Sequence, residues 1–216
     1  MISSNFSAIQ SDIYPVQLGV VSKAASIEET ESVIRAGATI LCESRVQDAE
    51  TKIRALRAHP VSWHMIGHLQ RNKVKRAVAL FDCVQSVDSE VLLEKINYEA
   101  LAIGKVMPIL FQINIAKDPK KYGFDRAVFE QFISKYSNAF LNIEIRGIMA
   151  IIPSEEDNFV IMRYFRELHA IFQEMKHRFS SVDTLSMGMS EDYKMAIECG
   201  ANFVRIGSLI FEGEVK

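Results

Sequence analysis

One lysine near the start of the chain and three small residues near its end have the types and spacing for chemistry. Lys23 follows the apolar run LGVVS, where a buried strand would stop. Far along the chain, Leu185 to Ser208, LSMGMSEDYKMAIECGANFVRIGS, reads as strand, tight turn, short helix and strand, finishing on Gly207 and Ser208. Gly188 supplies the turn. Ser190 is the expected N-cap of a helix of about three turns, with Glu191 and Asp192 in its first turn and Gly200 as its stop. The hydroxyls of Ser190 and Ser208 and the bare backbone at Gly207 suit an oxyanion such as a phosphate. Taken singly, a glycine is a turn and a lysine is a solvated surface residue. Together they predict more, because a right-handed βαβ crossover puts the C-terminal ends of both strands on one side of the sheet, making the SMGMS and RIGS turns neighbours. A lysine at that same end, partly desolvated, can lose its proton and form a Schiff base with an aldehyde.

The elements that must position these groups alternate regularly. Expected strands are Val16 to Ser22, Thr39 to Cys42, Val61 to Ile66, Cys83 to Val87, Met107 to Ile115, Ile143 to Ile151, Thr184 to Ser186 and Asn202 to Ile206. Between them lie helical patterns. Ile27 to Ala36 carries Ser26 and Glu29 as a capping box and Gly37 as a stop, and Val46 to Ala58 follows the second strand. The segment LQRNKVKRAVALF has a basic outer face, and further helices span Ser89 to Ile103 and Asp125 to about Ala139. The longest, Glu155 to Phe179, places Phe159, Met162, Phe165, Leu168, Ile171, Phe172 and Met175 at intervals of three and four, which assigns them to the core. Eight strands separated by helices in a chain of one composition predict an α/β fold, a single (β/α)8 TIM-type barrel forming one domain over residues 1–216. In such barrels reactive groups sit at the strand C-termini and phosphates at the loops after strands seven and eight. Lys23, Ser190, Gly207 and Ser208 fall there, and they would hold the two ends of one phosphorylated aldehyde. Pyridoxal 5'-phosphate has both groups.

Composition narrows the class. The chain has 216 residues, 49% hydrophobic and 24% charged, with a net charge of −2, so it lacks the basic footprint of a nucleic-acid or anionic-membrane binder. Its apolar runs are too short to span a membrane. Cys42, Cys83 and Cys199 are an odd number without metal-site spacing, and the opening MISSNFSAIQSDIYP has no basic flank or apolar core, which points to the cytoplasm. His64 and His68 are four apart, but a strand and Gly67 interrupt the helical spacing that a metal pair would need, so no metal site is expected. Lys117, Lys120 and Lys121 read as a solvated loop rather than an anion patch.

Several blocks are shared, in order, with a known family. VSK at Val21 to Lys23, WHMIGHLQRNK at Trp63 to Lys73, QSVDS at Gln85 to Ser89, INIAKDPKKYGF at Ile113 to Phe124, RGIMAI at Arg146 to Ile151, LSMGMS and VRIGSLIF together resemble the YggS/PROSC-type pyridoxal phosphate homeostasis proteins. The resemblance implies an alanine-racemase-like barrel holding pyridoxal 5'-phosphate as an internal aldimine on Lys23. It implies a phosphate held by Ser190, Gly207 and Ser208, with Arg205 facing the pyridine nitrogen. It also implies no catalytic residue and, as partners, apoenzymes that receive the cofactor. Where the family has GEN, this chain has Cys42, Glu43 and Ser44, so a serine stands where an asparagine is expected beside the cofactor. The segment before Lys23 is shorter than the family's usual opening helix, and IFEGEVK replaces its usual ending. These departures imply reduced cofactor affinity.

Three functions follow in order of expectation. The first is a monomeric cytoplasmic carrier that binds and buffers the cofactor. The second is a racemase-like enzyme, which would need a base on each face of its substrate; related racemases take one from a second domain and a partner subunit, whereas here it would have to come from a residue of the barrel mouth such as Cys42 or Tyr122. The third is a drifted member with weakened cofactor binding and a partner-binding role.

Overall fold

The computed structural model describes residues 1–135, 140–153 and 157–213. Its centre is a closed barrel of eight parallel strands in sequential order: β1 (Gln17–Val21), β2 (Ile40–Glu43), β3 (Ser62–Met65), β4 (Cys83–Val87), β5 (Met107–Gln112), β6 (Ile143–Met149), β7 (Thr184–Ser186) and β8 (Phe203–Ile206). Closure is made by β1 against β8, with Gly19 opposite Arg205 and Val20 opposite Ile206. Around the barrel run α1 (Ile2–Ile13), α2 (Ile27–Arg35), α3 (Val46–Ala55), α4 (Val74–Leu80), α5 (Glu90–Ala102), α6 (Arg126–Lys135), α7 (Asn158–Arg178), α8 (Tyr193–Glu198) and α9 (Ser208–Phe211). A 3-10 turn at Arg71–Lys73 precedes α4 and occupies the start of the basic helical pattern.

Strand residues alternate between two environments. Leu41, Trp63, Met65, Val84, Ile109, Phe111, Val204 and Ile206 are buried outward against the helices, forming the main core. The inward set includes Gly19, Cys42, His64, Gln85, Ser186, Phe203 and Arg205, far more polar than the outer shell. Gly19 is needed for space, since a Cβ there would lie 2.7 Å from both Cys42 Sγ and Phe203 Cε1.

The capping box of α2 forms as expected: Glu29 N donates to Ser26 Oγ at 3.1 Å, and Ser26 N donates to Glu29 Oε2 at 2.8 Å. Gly37 ends that helix with φ of +108°. Other expectations are corrected. Ser190 is not an N-cap: α8 begins at Tyr193 with Asp192 before it, and spans six residues rather than about three turns. Asp192 wins because its carboxylate closes the preceding turn, accepting the Met189 N–H at 2.6 Å. Phe159 is 76% exposed rather than core, and the buried stripe of α7 starts at Ile161 and continues through Phe165, Leu168, Ile171, Phe172 and Met175. Met162 is only half-buried. The N-cap of α7 is Asp157, which accepts from Val160 N at 2.9 Å. The third helix stops at Ala55 rather than Ala58. The expected helical residues Tyr136 to Ala139, and the start at Glu155 of the longest helical pattern, lie outside the described residues. The opening segment, short as it is, folds as α1 and buries Phe6, Ile9 and Ile13.

Candidate functional site

The C-terminal ends of β1, β7 and β8 open into one cavity of about 560 Å³. Lys23, Ser190, Arg205, Gly207 and Ser208 all line it. The first and last strands deliver Lys23 and Gly207 side by side, because β1 and β8 pair up to Val20 and Ile206. The turn after β7 is held against β8 by Arg205 N donating to Gly188 O at 3.0 Å, and Gly188 takes φ of +94° to make the corner. A Cβ at Gly188 would also lie 2.6 Å from the Ala196 Cβ.

The groups differ in environment. Lys23 is exposed at the mouth, so the desolvation expected of it is not present. Ser190 and Ser208 are half-buried, and their hydroxyls have no hydrogen-bond partner among the described residues. Gly207 precedes α9, and the N–H groups of Ser208 and Leu209 in the first helical position and the next have no carbonyl within that helix to receive them. A Cβ at Gly207 would sit 2.9 Å from the Val21 carbonyl, so only bare backbone fits this close to β1.

Arg205 is 2% exposed and forms the floor. Its Nη1 donates to Ser186 Oγ at 2.6 Å and its Nη2 to the Ala150 carbonyl at 2.7 Å, both neutral acceptors. Burial lowers its pKa to about 10, with the nearby Cys42 and Asp192 opposing the shift. A buried guanidinium held by neutral partners keeps unspent capacity for an acceptor or anion in the cavity. Asp192 also lines the cavity, and desolvation raises its pKa while the Met189 N–H and Arg205 act the other way.

Sequence reasoning missed the support beneath Arg205. Ser186 Oγ donates to Gln85 Oε1 at 2.7 Å, Gln85 Nε2 lies 2.9 Å from His64 Nδ1, and His64 Nε2 lies 3.1 Å from Ser62 Oγ. The signal was present as polar residues at inward positions of otherwise apolar strands. The two histidines part ways: His64 points into the barrel, whereas His68 stands at the mouth, its Nδ1 2.9 Å from Asp88 Oδ2 and its ring stacked on Tyr122 at 3.6 Å. Ser44 faces a different hollow, lined also by Arg45, His68 and Lys73. Behind Lys23, Ser22 Oγ donates to Glu43 Oε1 at 2.7 Å, and Lys52 on α3 donates to the same oxygen at 2.8 Å and to the Ser22 carbonyl. Cys42 is fully buried, and desolvation pushes its thiol up to about 12.

This geometry has relatives. The family profile described as "Alanine racemase, N-terminal domain" matches residues 1–214. Proteins named pyridoxal phosphate homeostasis protein align at 34% identity in Pasteurella multocida, covering 91% of this chain and 85% of that protein, and at 33% in Helicobacter pylori, covering 91% and 87%. Among solved structures, PipY of Synechococcus elongatus PCC7942 with PLP bound superposes with a TM-score of 0.90 at 29% identity, covering 98% of this chain and 100% of PipY. Alanine racemase of Clostridium difficile 630 superposes with a TM-score of 0.77 at 14% identity, covering 97% of this chain and 56% of that enzyme, a likeness of fold. Sequence, barrel topology and near-complete mutual coverage agree: the chain belongs to the pyridoxal phosphate homeostasis protein family, built on the alanine racemase N-terminal domain.

Proposed function

We propose that this chain, as one barrel domain over residues 1–216, binds pyridoxal 5'-phosphate and serves intracellular homeostasis of that cofactor as a carrier rather than a catalyst. The observation that carries the reading is the convergence of Lys23, Arg205, Ser190, Gly207 and Ser208 on one cavity. The relatives' names and the PLP-bound PipY structure support it. The residues fit the group: a primary amine at the mouth, two unpartnered hydroxyls and bare glycine backbone for a phosphate, and a buried guanidinium beneath. When bound, the cofactor supplies an aldehyde and a ring able to accept electrons. Lys23 would hold the cofactor through its Nζ, a primary amine able to condense with that aldehyde with loss of water.

Arg205 favours a carrier over a decarboxylase or transaminase, which need a strong electron sink. A guanidinium only donates, so a ring nitrogen set against it must accept and stays unprotonated, which makes the ring a poor electron sink. Cys42 is no base at neutral pH, its thiol being held near 12. Tyr122 is exposed, stacks its ring on His68 and is not among the residues that line the cavity. The three free thiols suit a reducing cytoplasm, and the carrier acts as a monomer that passes its cofactor to apoenzymes.

The test is the absorbance of purified protein with added pyridoxal 5'-phosphate, for wild type and Lys23→Ala, before and after borohydride. The expected result is a band that reduction fixes covalently in wild type and that the variant lacks. Absence of the band in wild type at saturating cofactor overturns the reading. Inversion of added amino acids, followed by optical rotation, would replace the carrier with an enzyme.

A further inference from the structure

Arg205 does not stand alone inside the barrel. It is the head of a chain of side chains that crosses the interior from β8 through β7 and β4 to β3, and the chemistry of its first member sets the sense of every bond. Arginine has no acceptor, so Ser186 Oγ accepts from Arg205 Nη1. The Ser186 hydrogen must then go elsewhere, and Gln85 Oε1 lies 2.7 Å away. With its oxygen so used, Gln85 offers its NH2 to His64 Nδ1 at 2.9 Å. His64 Nδ1 must therefore be bare, its proton must sit on Nε2, and that N–H is aimed at Ser62 Oγ at 3.1 Å. Four residues donate in one direction, away from the guanidinium, and Ser62 accepts at the end.

We infer that Gln85 and His64 are positioning residues for Arg205, holding the Ser186 hydroxyl turned away so that its lone pairs face the guanidinium and keep that group in one orientation at the cavity floor. The inference rests on the cofactor-binding reading for its consequence, and on the interior geometry alone for its existence. His64 is suited to the end of such a chain. Its ring is stacked on Phe203, 5.7 Å between centroids and 12° between planes, which fixes where Nδ1 points. Desolvation lowers its pKa to about 4, so the imidazole is neutral and able to accept. A protonated imidazole, with donors on both nitrogens, would face the Gln85 NH2 donor to donor and reverse the chain. Ser186 and Gln85 are fully buried, so water cannot replace a lost partner readily.

Two measurements test it. The first uses the cofactor-free protein and nitrogen-15 NMR. The expected result is a His64 with protonated Nε2 and bare Nδ1, and slowly rotating Arg205 guanidinium N–H groups whose rotation is released in Gln85→Leu. A proton on Nδ1, or Arg205 resonances unaffected by Gln85→Leu, overturns the inference. The second measures pyridoxal 5'-phosphate binding by titration and the absorption maximum of the bound chromophore. His64→Leu and Gln85→Leu should each weaken binding about tenfold and move the maximum, since one hydrogen bond to a charged group is at stake. His64→Asn, whose carbonyl oxygen can stand in for Nδ1 as acceptor, should restore both. A merely structural His64 would show Leu and Asn variants alike in affinity and band, and that result refutes the positioning role. If wild type binds no cofactor, the carrier reading fails while the NMR result still decides the chain.

Discussion

Lys52 ties α3 to the strand end that carries Lys23, and its replacement tests how that end is held. Lys52 is 7% exposed, and its ammonium donates to Glu43 Oε1 at 2.8 Å as well as to the Ser22 carbonyl. Glu43 is fully buried, and its Oε2 has no partner among the described residues, so the carboxylate relies on Lys52 and the Ser22 hydroxyl, both on one oxygen. Lys52→Met keeps the aliphatic stem and leaves a buried anion with a single neutral donor. Breaking a buried ion pair from one side costs about 3–5 kcal/mol, against about 0–1 kcal/mol for an exposed pair such as Arg35 with Glu31. In a domain of this size each kcal/mol moves Tm by about 2–4 °C, so the expected fall is about 6–20 °C. Glu43→Leu with Lys52→Met should recover most of it, because an apolar pair of similar volume replaces a buried ion pair at little cost. Urea unfolding of the wild type, both single variants and the double variant gives the coupling directly. A loss below about 1 kcal/mol for Lys52→Met, or a double variant whose loss is the sum of the singles, refutes the buried pair as the anchor of this strand end.

Gly207→Ala places a Cβ 2.9 Å from the Val21 carbonyl, so the seam between β1 and β8 must spread; stability should fall by about 1–3 kcal/mol by thermal melting, and competition by inorganic phosphate against cofactor binding should weaken. His64 has a folded pKa of about 4 against 6.5 in an unfolded chain. The unfolded state therefore takes up its proton first on acidification. The His64 contribution is complete above about pH 6.5 and is lost toward pH 4 with a slope of at most about 1.4 kcal/mol per pH unit, and urea unfolding of His64→Asn should lack that slope. Phe159→Ser should change stability by less than about 0.5 kcal/mol, whereas Phe165→Ala should cost about 3–5 kcal/mol, which calorimetry of the two variants separates.

Eight rounds of strand and helix were legible because each strand is a short apolar run bounded by a cap or a glycine, and barrel closure followed from their number. The convergence of the candidate residues on one cavity was legible for a topological reason: parallel strands all deliver their C-terminal residues to one face, so Lys23 and Ser208 could be placed together without knowing the packing between them. Errors arose where two readings satisfied the same pattern. Phe159 and Ile161 both fit an apolar stripe at helical spacing, and only the face that α7 turns to the barrel decides between them. Ser190 and Asp192 are both good capping residues; the carboxylate prevails because it reaches back to Met189. The chain from Arg205 to Ser62 joins residues on four strands separated by up to 143 positions, and no local pattern encodes which inward side chains meet. The twelve residues of α1 carry their apolar groups at Phe6, Ile9 and Ile13 among serines, a signal too dilute to stand out before the helix has a barrel to lie on.

The site straddles the seam where the barrel closes, with Lys23 after the first strand and Gly207 and Ser208 after the last. Neither half exists as a binding surface until β1 and β8 have met. A nascent chain still missing β8 at the ribosome has its lysine but no cradle, so cofactor capture must wait until β8 has been made and has closed the barrel. For the same reason a ligand bridging the seam acts as a clasp on the whole barrel: it opposes global unfolding in proportion to its occupancy, and its release and the parting of β1 from β8 become linked events. Cellular abundance of such a protein would then track the supply of its own ligand.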